Sequence, residues 1–136
     1  MGKSLGNALY LSDDFETINE KVKGAKTDPN RIRKTDKGNP DICMVYYYHK
    51  LFSNKEECEN ICQECKEGKR GCVYCKKELA ENINKELEPI REKRHYYENH
   101  EDEVKNILLE GTKHAREISK ETLTKVKKSM KIDYSD

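Results

Sequence analysis

The sequence has no tryptophan, only two phenylalanines and three prolines, and hydrophobic residues at just 34% of its 136 positions. Because this apolar supply is thin for an isolated globule, we expect an extended helical protein, or a part that packs against a further domain. No apolar run approaches the ~18 residues of a membrane-spanning helix, and no apolar N-terminal stretch is typical of a signal peptide. These absences predict a cytoplasmic protein with no membrane partner.

A large excess of charge is also lacking, since the net charge is +1 although 39% of residues are charged. Bulk attraction to nucleic acid is therefore not predicted. Local charge differs, because residues 21–37 contain seven basic residues against two aspartates. Positive charge clustered in this way is suited to contact a phosphate backbone.

Cysteine, by contrast, is abundant, with six residues. Because the cytosol keeps thiols reduced, they predict metal ligands or free thiols rather than disulfides. The spacing C-x21-C-x6-C-x2-C is formed by Cys43, Cys65, Cys72 and Cys75. Thiolates grouped in this way bind a soft metal or an iron–sulfur cluster.

The spacing leaves the ligand set open. Cys62 and Cys65 with Cys72 and Cys75 also form C-x2-C-x6-C-x2-C, which is typical of a tetrahedral zinc site and makes Cys43 a core thiol. Spacing alone favours zinc over iron–sulfur. Other interpretations are buried free thiols throughout and a redox pair of Cys72 and Cys75.

Cys58 and Cys62 share one face of a predicted helix, and packing is the simpler explanation for both.

Basic and aromatic side chains lie within the cysteine-rich segment 58–77, where unpaired RNA bases would meet charge and a stacking surface. The candidate RNA contacts are Lys66, Lys69, Arg70, Tyr74 and Lys76. Surface lysines are usually only solvated, so Lys69 and Arg70 are the strongest of these. Tyr46, Tyr47 and Tyr48 are further stacking candidates, although at least one of Tyr46 and Tyr47 should pack in the core.

Capping residues and apolar periodicity predict an all-α chain. Five helices are expected, from Phe15 to Gly24, Asn39 to Phe52, Asn54 to about Cys65, Tyr74 to Arg94, and Glu101 to Met130. Pro89 should kink the fourth helix, and Gly111 should mark a bend or a close crossing in the fifth. Neither the histidines nor the carboxylates form a pattern typical of acid–base catalysis.

Several stretches resemble a known family. Met1–Asn7 resembles the K-M-S-K-S loop of class I aminoacyl-tRNA synthetases, with the Leu-Gly-Asn that often follows it. Gly38–Cys43, Gly71–Leu79 and Leu87–Arg94 are similar to the tryptophanyl-tRNA synthetase family in particular. The resemblance extends to about Met130.

The resemblance implies a helical-bundle anticodon-binding domain at 12–136, preceded by a remnant of the catalytic signature loop at 1–11. It implies that Lys3, with Ser4, meets the triphosphate of ATP in the whole enzyme, a homodimer that joins tryptophan to its tRNA. The Rossmann-type catalytic domain of the family is not in this sequence, so the chain alone should be catalytically incompetent. A subset of the family carries a structural [4Fe-4S] cluster, which would here be held by Cys43, Cys65, Cys72 and Cys75. The alternative is a freestanding zinc-stapled helical module that binds protein.

Overall fold

The computed structural model describes residues 3–132, with Lys3 described by its backbone alone. Every regular element in that range is helical, which confirms the predicted all-α class. Two short 3-10 helices cover Lys3–Leu5 and Pro40–Ile42. The α-helices are α1 (Phe15–Lys23), α2 (Met44–Phe52), α3 (Lys55–Lys66), α4 (Cys72–Glu98) and α5 (Glu101–Ser129). None of them has both the length and the apolar character that crossing a membrane requires.

The chain divides into two compact units, one up to Glu92 and one from Lys93 onwards. The division lies inside α4 and not near the predicted boundary between segments 1–11 and 12–136, which stays a prediction.

The cysteine-rich segment 58–77, which was expected to form a loop, is mostly helical. Only residues 67–71 lie between α3 and α4.

The core of the first unit is built by α1, α2 and α4. Ile18 and Val22 of α1 and Val45 of α2 are buried there. α4 contributes four residues to this core, Leu79, Ala80, Ile83 and Leu87, which recur along one face of the helix. Each large aliphatic side chain that is buried in this way stabilises the fold by about 1.5–3 kcal/mol relative to exposure.

The helix expected from Asn39 is interrupted. Pro40–Ile42 is a 3-10 turn whose start is capped by the Asn39 side chain, which accepts from the Asp41 amide at 3.1 Å. Cys43 then has an extended backbone, with φ −91° and ψ 115°, and α2 begins after it. The interruption places Cys43 at a junction between two helices, with its thiol half-buried against the core.

The remaining helices are longer or less packed than expected. α4 begins at Cys72, two residues earlier than predicted, and continues through Pro89 to Glu98. α5 has the predicted bounds to within one residue, yet none of its residues is buried. Its apolar positions are 44–68% exposed, namely Val104, Ile107, Leu108, Leu109, Ile118, Leu123 and Val126.

Asn54 begins α3 with a complete capping box, as predicted. Its side chain accepts from the Glu57 amide at 2.8 Å, and Glu57 accepts from the Asn54 amide at 3.2 Å. Asn54→Ala should lower the free energy of unfolding by about 1 kcal/mol, because the Glu57 amide loses its side-chain acceptor while the amide of residue 54 keeps the Glu57 carboxylate. Asn60→Ala, at an exposed position inside α3, is the matched control and should change stability by less than ~0.5 kcal/mol. Urea unfolding that gave equal losses for both variants would contradict a role for the cap.

Candidate metal centre

The four cysteines of the longer spacing pattern line one small cavity of about 20 Å³. Cys43 precedes α2, Cys65 lies in the last turn of α3, and Cys72 and Cys75 lie in the first turn of α4. Residues three apart on a helix share a face, so Cys72 and Cys75 point to the same side. The cavity is therefore lined by the segment before α2 together with the end of α3 and the start of α4, which follow each other closely in sequence.

The polar loop 25–39 forms another wall of this site. Its anchor is Asp28, which is 6% exposed and accepts from the amides of Asn30 and Asn39, both at 2.8 Å. Further along the loop, the Gly38 amide donates to the carbonyl of Cys65 at 2.9 Å. These bonds hold the loop against the C-terminal end of α3.

Two glycines permit this close approach. A Cβ atom on Gly38 would lie 2.6 Å from Sγ of Cys65, well inside contact distance. Gly68 has φ +72°, and a Cβ there would collide with the carbonyl oxygen of Thr35. Only a residue without a side chain meets both conditions at Gly68 without strain.

Arg31 brings positive charge to the thiols. One guanidinium nitrogen, Nη1, is 3.8 Å from Sγ of Cys65 and 3.6 Å from Sγ of Cys72. Nη2 donates to the carbonyls of Lys34 and Arg70, both at 2.6 Å, while Nε is buried without a hydrogen-bond partner. Sequence reasoning did not single out Arg31, and its only signal was membership of the basic segment 21–37.

Arg70, one of the predicted RNA contacts, is buried, and its contact with RNA stays a prediction. Its side chain is 7% exposed and forms ion pairs with Glu64, at 2.5 Å, and with Glu78. Its guanidinium also lies 5.0 Å from the ring centroid of Tyr74. Arg70 thereby connects α3 to α4 beside the cavity. A buried charge requires acidic partners, and here each helix provides one.

The other predicted RNA contacts differ in exposure. Lys66 and Lys69 are exposed, and Lys69 pairs with Glu67 at 2.6 Å. Tyr74 is 61% exposed, so one face of its ring is open to a stacking partner. Lys76 is half-buried, and its ammonium group donates to the carbonyl of Lys23 at 2.7 Å. This hydrogen bond ties the Lys76 side chain to the end of α1.

Cys58 and Cys62 do not line the cavity. The Cys58 thiol donates to the carbonyl of His49 at 3.3 Å. Cys62 lies beside Tyr46, where burial of the phenol and a hydrogen bond with Cys62 raise the pKa of Tyr46 to about 12. Tyr46 is half-buried, as expected for one of the two tyrosines named above. The geometry therefore groups Cys43, and not Cys62, with the three other thiols.

Burial also decides the protonation of the thiols. It raises the pKa of Cys65, against the opposing charge of Arg31, and it raises the pKa of Cys75 to about 11. Both thiols therefore hold their protons at neutral pH, and a metal must displace those protons to bind. Metal affinity should consequently fall as the pH is lowered.

The donor set fits a thiolate-bound metal group. Four thiols line the cavity, and Nη1 of Arg31 lies within 4 Å of two sulfurs that would carry negative charge, while Nε of the same side chain is buried without a partner. Within residues 3–132, no group of three or more His, Cys, Asp or Glu side chains is arranged to hold a single metal ion. The cavity has room for about one water, so a larger group requires its walls, Arg31 included, to move outwards.

The predicted ATP contacts are only partly described. Ser4 is exposed within the short turn Lys3–Leu5, and the side chain of Lys3 lies outside the described residues. Their role stays a prediction.

Comparison with known proteins identifies the family. The family model for class I tRNA synthetases of the W and Y type matches residues 1–88, so the chain belongs to this family. Among its curated relatives is the tryptophan–tRNA ligase of Aquifex aeolicus, 42% identical over 133 residues, or 97% of this chain and 34% of that protein. The tryptophan–tRNA ligase of Streptococcus mutans is 42% identical over 137 residues, or 98% of this chain and 40% of that protein.

Solved structures agree on the fold. The crystal structure of tryptophanyl-tRNA synthetase from Campylobacter jejuni has a TM-score of 0.83 to this chain at 23% identity, over 96% of this chain and 41% of that one. A second structure of the Campylobacter enzyme is a complex with ADP and tryptophan. The chain spans between about a third and two fifths of the length of the curated relatives named above.

The contact between Gly38 and Cys65 makes a paired test possible. Gly38→Ala should lower the free energy of unfolding by about 1–3 kcal/mol, because the added methyl group forces the Cys65 thiol from its position. Gly111→Ala, inside α5 with nothing within 4 Å of the new Cβ, should raise helix stability by up to ~1 kcal/mol. Thermal unfolding followed by circular dichroism measures both, and a Gly38→Ala variant as stable as the wild type would refute the close contact.

Proposed function

We propose that this chain is the tRNA-binding helical part of a tryptophan–tRNA ligase. The whole enzyme would join L-tryptophan to its tRNA and convert ATP to AMP and diphosphate. The observation that carries this proposal is the 42% identity to a tryptophan–tRNA ligase over 97% of the chain.

In this proposal, a further Rossmann-type domain provides the tryptophan and ATP sites, and Lys3 with Ser4 approaches the triphosphate from this chain. The chain alone is then catalytically incompetent, and the whole enzyme is a homodimer. The thin apolar supply and the exposed apolar residues of α5 support a helical part whose packing partner is a further domain.

The anticodon region of the tRNA would bind to a surface beside the cysteine cavity, which we call the basic rim. The contacts of loop 25–39 with the end of α3 bring together the charges of two segments there. The basic rim consists of the exposed residues Arg33, Lys34, Lys37, Lys66 and Lys69. Tyr74, exposed one turn into α4, is the stacking surface for an unpaired base.

The metal group in this proposal is a structural [4Fe-4S] cluster held by Cys43, Cys65, Cys72 and Cys75. When bound, it supplies four metal–thiolate bonds across three segments of the chain. Loop 25–39 and the α3–α4 connection would then present the basic rim in one defined arrangement. The support is the shared cavity, the exclusion of Cys62 from it, and the cationic side chain of Arg31 beside two of the thiols.

Metal analysis of protein purified without oxygen tests the ligand set. The wild type should contain about four irons and four sulfides per chain, and Cys43→Ser should lose them. Cys62→Ser is the matched control and should retain them, since Cys62 does not line the cavity. One zinc per chain that survives Cys43→Ser and is lost in Cys62→Ser would contradict the cluster and favour the local zinc site.

Binding to tryptophan tRNA tests the basic rim. The double variant Lys66→Glu, Lys69→Glu should bind more weakly and reduce the slope of log K against log salt by about 0.7–0.9 for each phosphate that the variant no longer neutralises. The control is Lys113→Glu, Lys120→Glu, which reverses two exposed charges of α5 and should leave affinity and slope nearly unchanged. Equal losses in both double variants would indicate only long-range attraction and would count against a localised rim.

A further inference from the structure

A line of hydrogen bonds crosses the core of the first unit and ends at Cys75. The side-chain amide of Asn82 donates to Oγ of Ser53 at 2.8 Å, and Oγ lies 2.8 Å from Nδ1 of His49. Nε2 of His49 lies 3.0 Å from the carbonyl oxygen of Cys75 and 3.4 Å from its Sγ. His49 itself is fully buried, with 0% of its surface exposed.

The direction of each hydrogen bond follows from the chemistry of the end groups. A carbonyl oxygen only accepts, so Nε2 of His49 must carry the hydrogen that points at Cys75. In a neutral ring Nδ1 is then an acceptor, which requires the hydroxyl of Ser53 to donate to it. The remaining lone pairs of Ser53 accept from Asn82. One tautomer of His49 is therefore selected by the carbonyl of Cys75, and the Ser53 hydroxyl, which can donate or accept, adapts to it.

The backbone of His49 is held as firmly as its ring. Its carbonyl accepts from the amide of Ser53 at 2.8 Å and from the Cys58 thiol at 3.3 Å. The ring therefore approaches Cys75 from a fixed helix, α2, and its donor cannot turn away without breaking bonds at both ends.

We propose that His49 is a positioning residue for the thiolate site: its Nε2–H, oriented by Ser53 and Asn82, donates to the carbonyl and sulfur of Cys75 and thereby holds Cys75 in place as a ligand. This inference rests on the proposed cluster. Donors of this kind to a ligand sulfur reduce the charge that it carries and raise the reduction potential of the bound group. They also hinder loss of the metal, since the ligand cannot rotate out freely.

The test uses the full chain, purified without oxygen in the wild type and as His49→Gln, Ser53→Ala and His95→Gln. Iron and sulfide are counted, the midpoint potential is measured by reductive titration, and iron release to a chelator is timed. His49→Gln should release iron about 10–100-fold faster and shift the potential downwards, as loss of an outer-shell partner does. Ser53→Ala should change both quantities in the same direction by less. His95→Gln, at an exposed position of α4, should change neither.

The outcomes separate this inference from the proposal beneath it. A wild type without iron and sulfide overturns both. A wild type with the cluster, whose potential and iron release are unchanged in both His49→Gln and Ser53→Ala, overturns only the role of His49. If His49→Gln does not fold, Ser53→Ala decides, because it removes the hydroxyl that holds Nδ1 and leaves the ring in place. Unfolding of the iron-free chains is the further control, since a purely structural role would lower stability without shifting the potential.

Discussion

The close approach of Gly38 to Cys65 is the contact on which the site depends. It joins loop 25–39 to the end of α3 through one backbone hydrogen bond and leaves no space for a side chain. Asp28 supports the contact from the other end of the loop by accepting from two amides while buried. Without these bonds the loop would have little apolar packing to hold it, since Ile32 is 89% exposed. The wall of the cavity that loop 25–39 provides is thus held by polar contacts, while Val45 and Ile61 line it from the helices.

The charges around the cavity are divided into two sets with different tasks. Arg31 and Arg70 turn inwards, where backbone carbonyls and carboxylates contact part of each guanidinium, while Nε of both is buried without a hydrogen-bond partner. The lysines of the basic rim remain in water, where a long flexible ammonium keeps its hydration. Arginine suits the buried positions because its planar group donates in several directions at once. An RNA partner would therefore meet the lysines first, while the arginines maintain the surface that presents them.

Much of the fold was predictable because local signals agreed with tertiary packing. The Asn54 capping box, the apolar repeat of Leu79, Ile83 and Leu87, and the glycine after α1 each determine a helix boundary or a buried face from a few neighbouring residues. Prediction was wrong where the backbone departs from a regular helix at Cys43, since an extended residue between two helical turns has no sequence pattern of its own. The burial of Arg70 had no signal in the sequence, because Glu64 and Glu78 meet that side chain only once α3 and α4 are folded.

Capping, periodicity and residue type act over a few positions, so the sequence alone was enough to predict the all-α class, the starts of α1, α3 and α5, and the six thiols. It left open which four of those thiols form one site, since spacing is compatible with both Cys43 and Cys62 as the first ligand. The folded chain places Cys43 at the cavity that Cys65, Cys72 and Cys75 also line, through the extended turn before α2, whereas Cys62 does not line it; the ligand set itself stays a prediction. The tautomer of His49 and the burial of Arg70 were decided at the same level. The physical reason is that each depends on partners from separate helices, and only the packed chain brings those partners within hydrogen-bond distance.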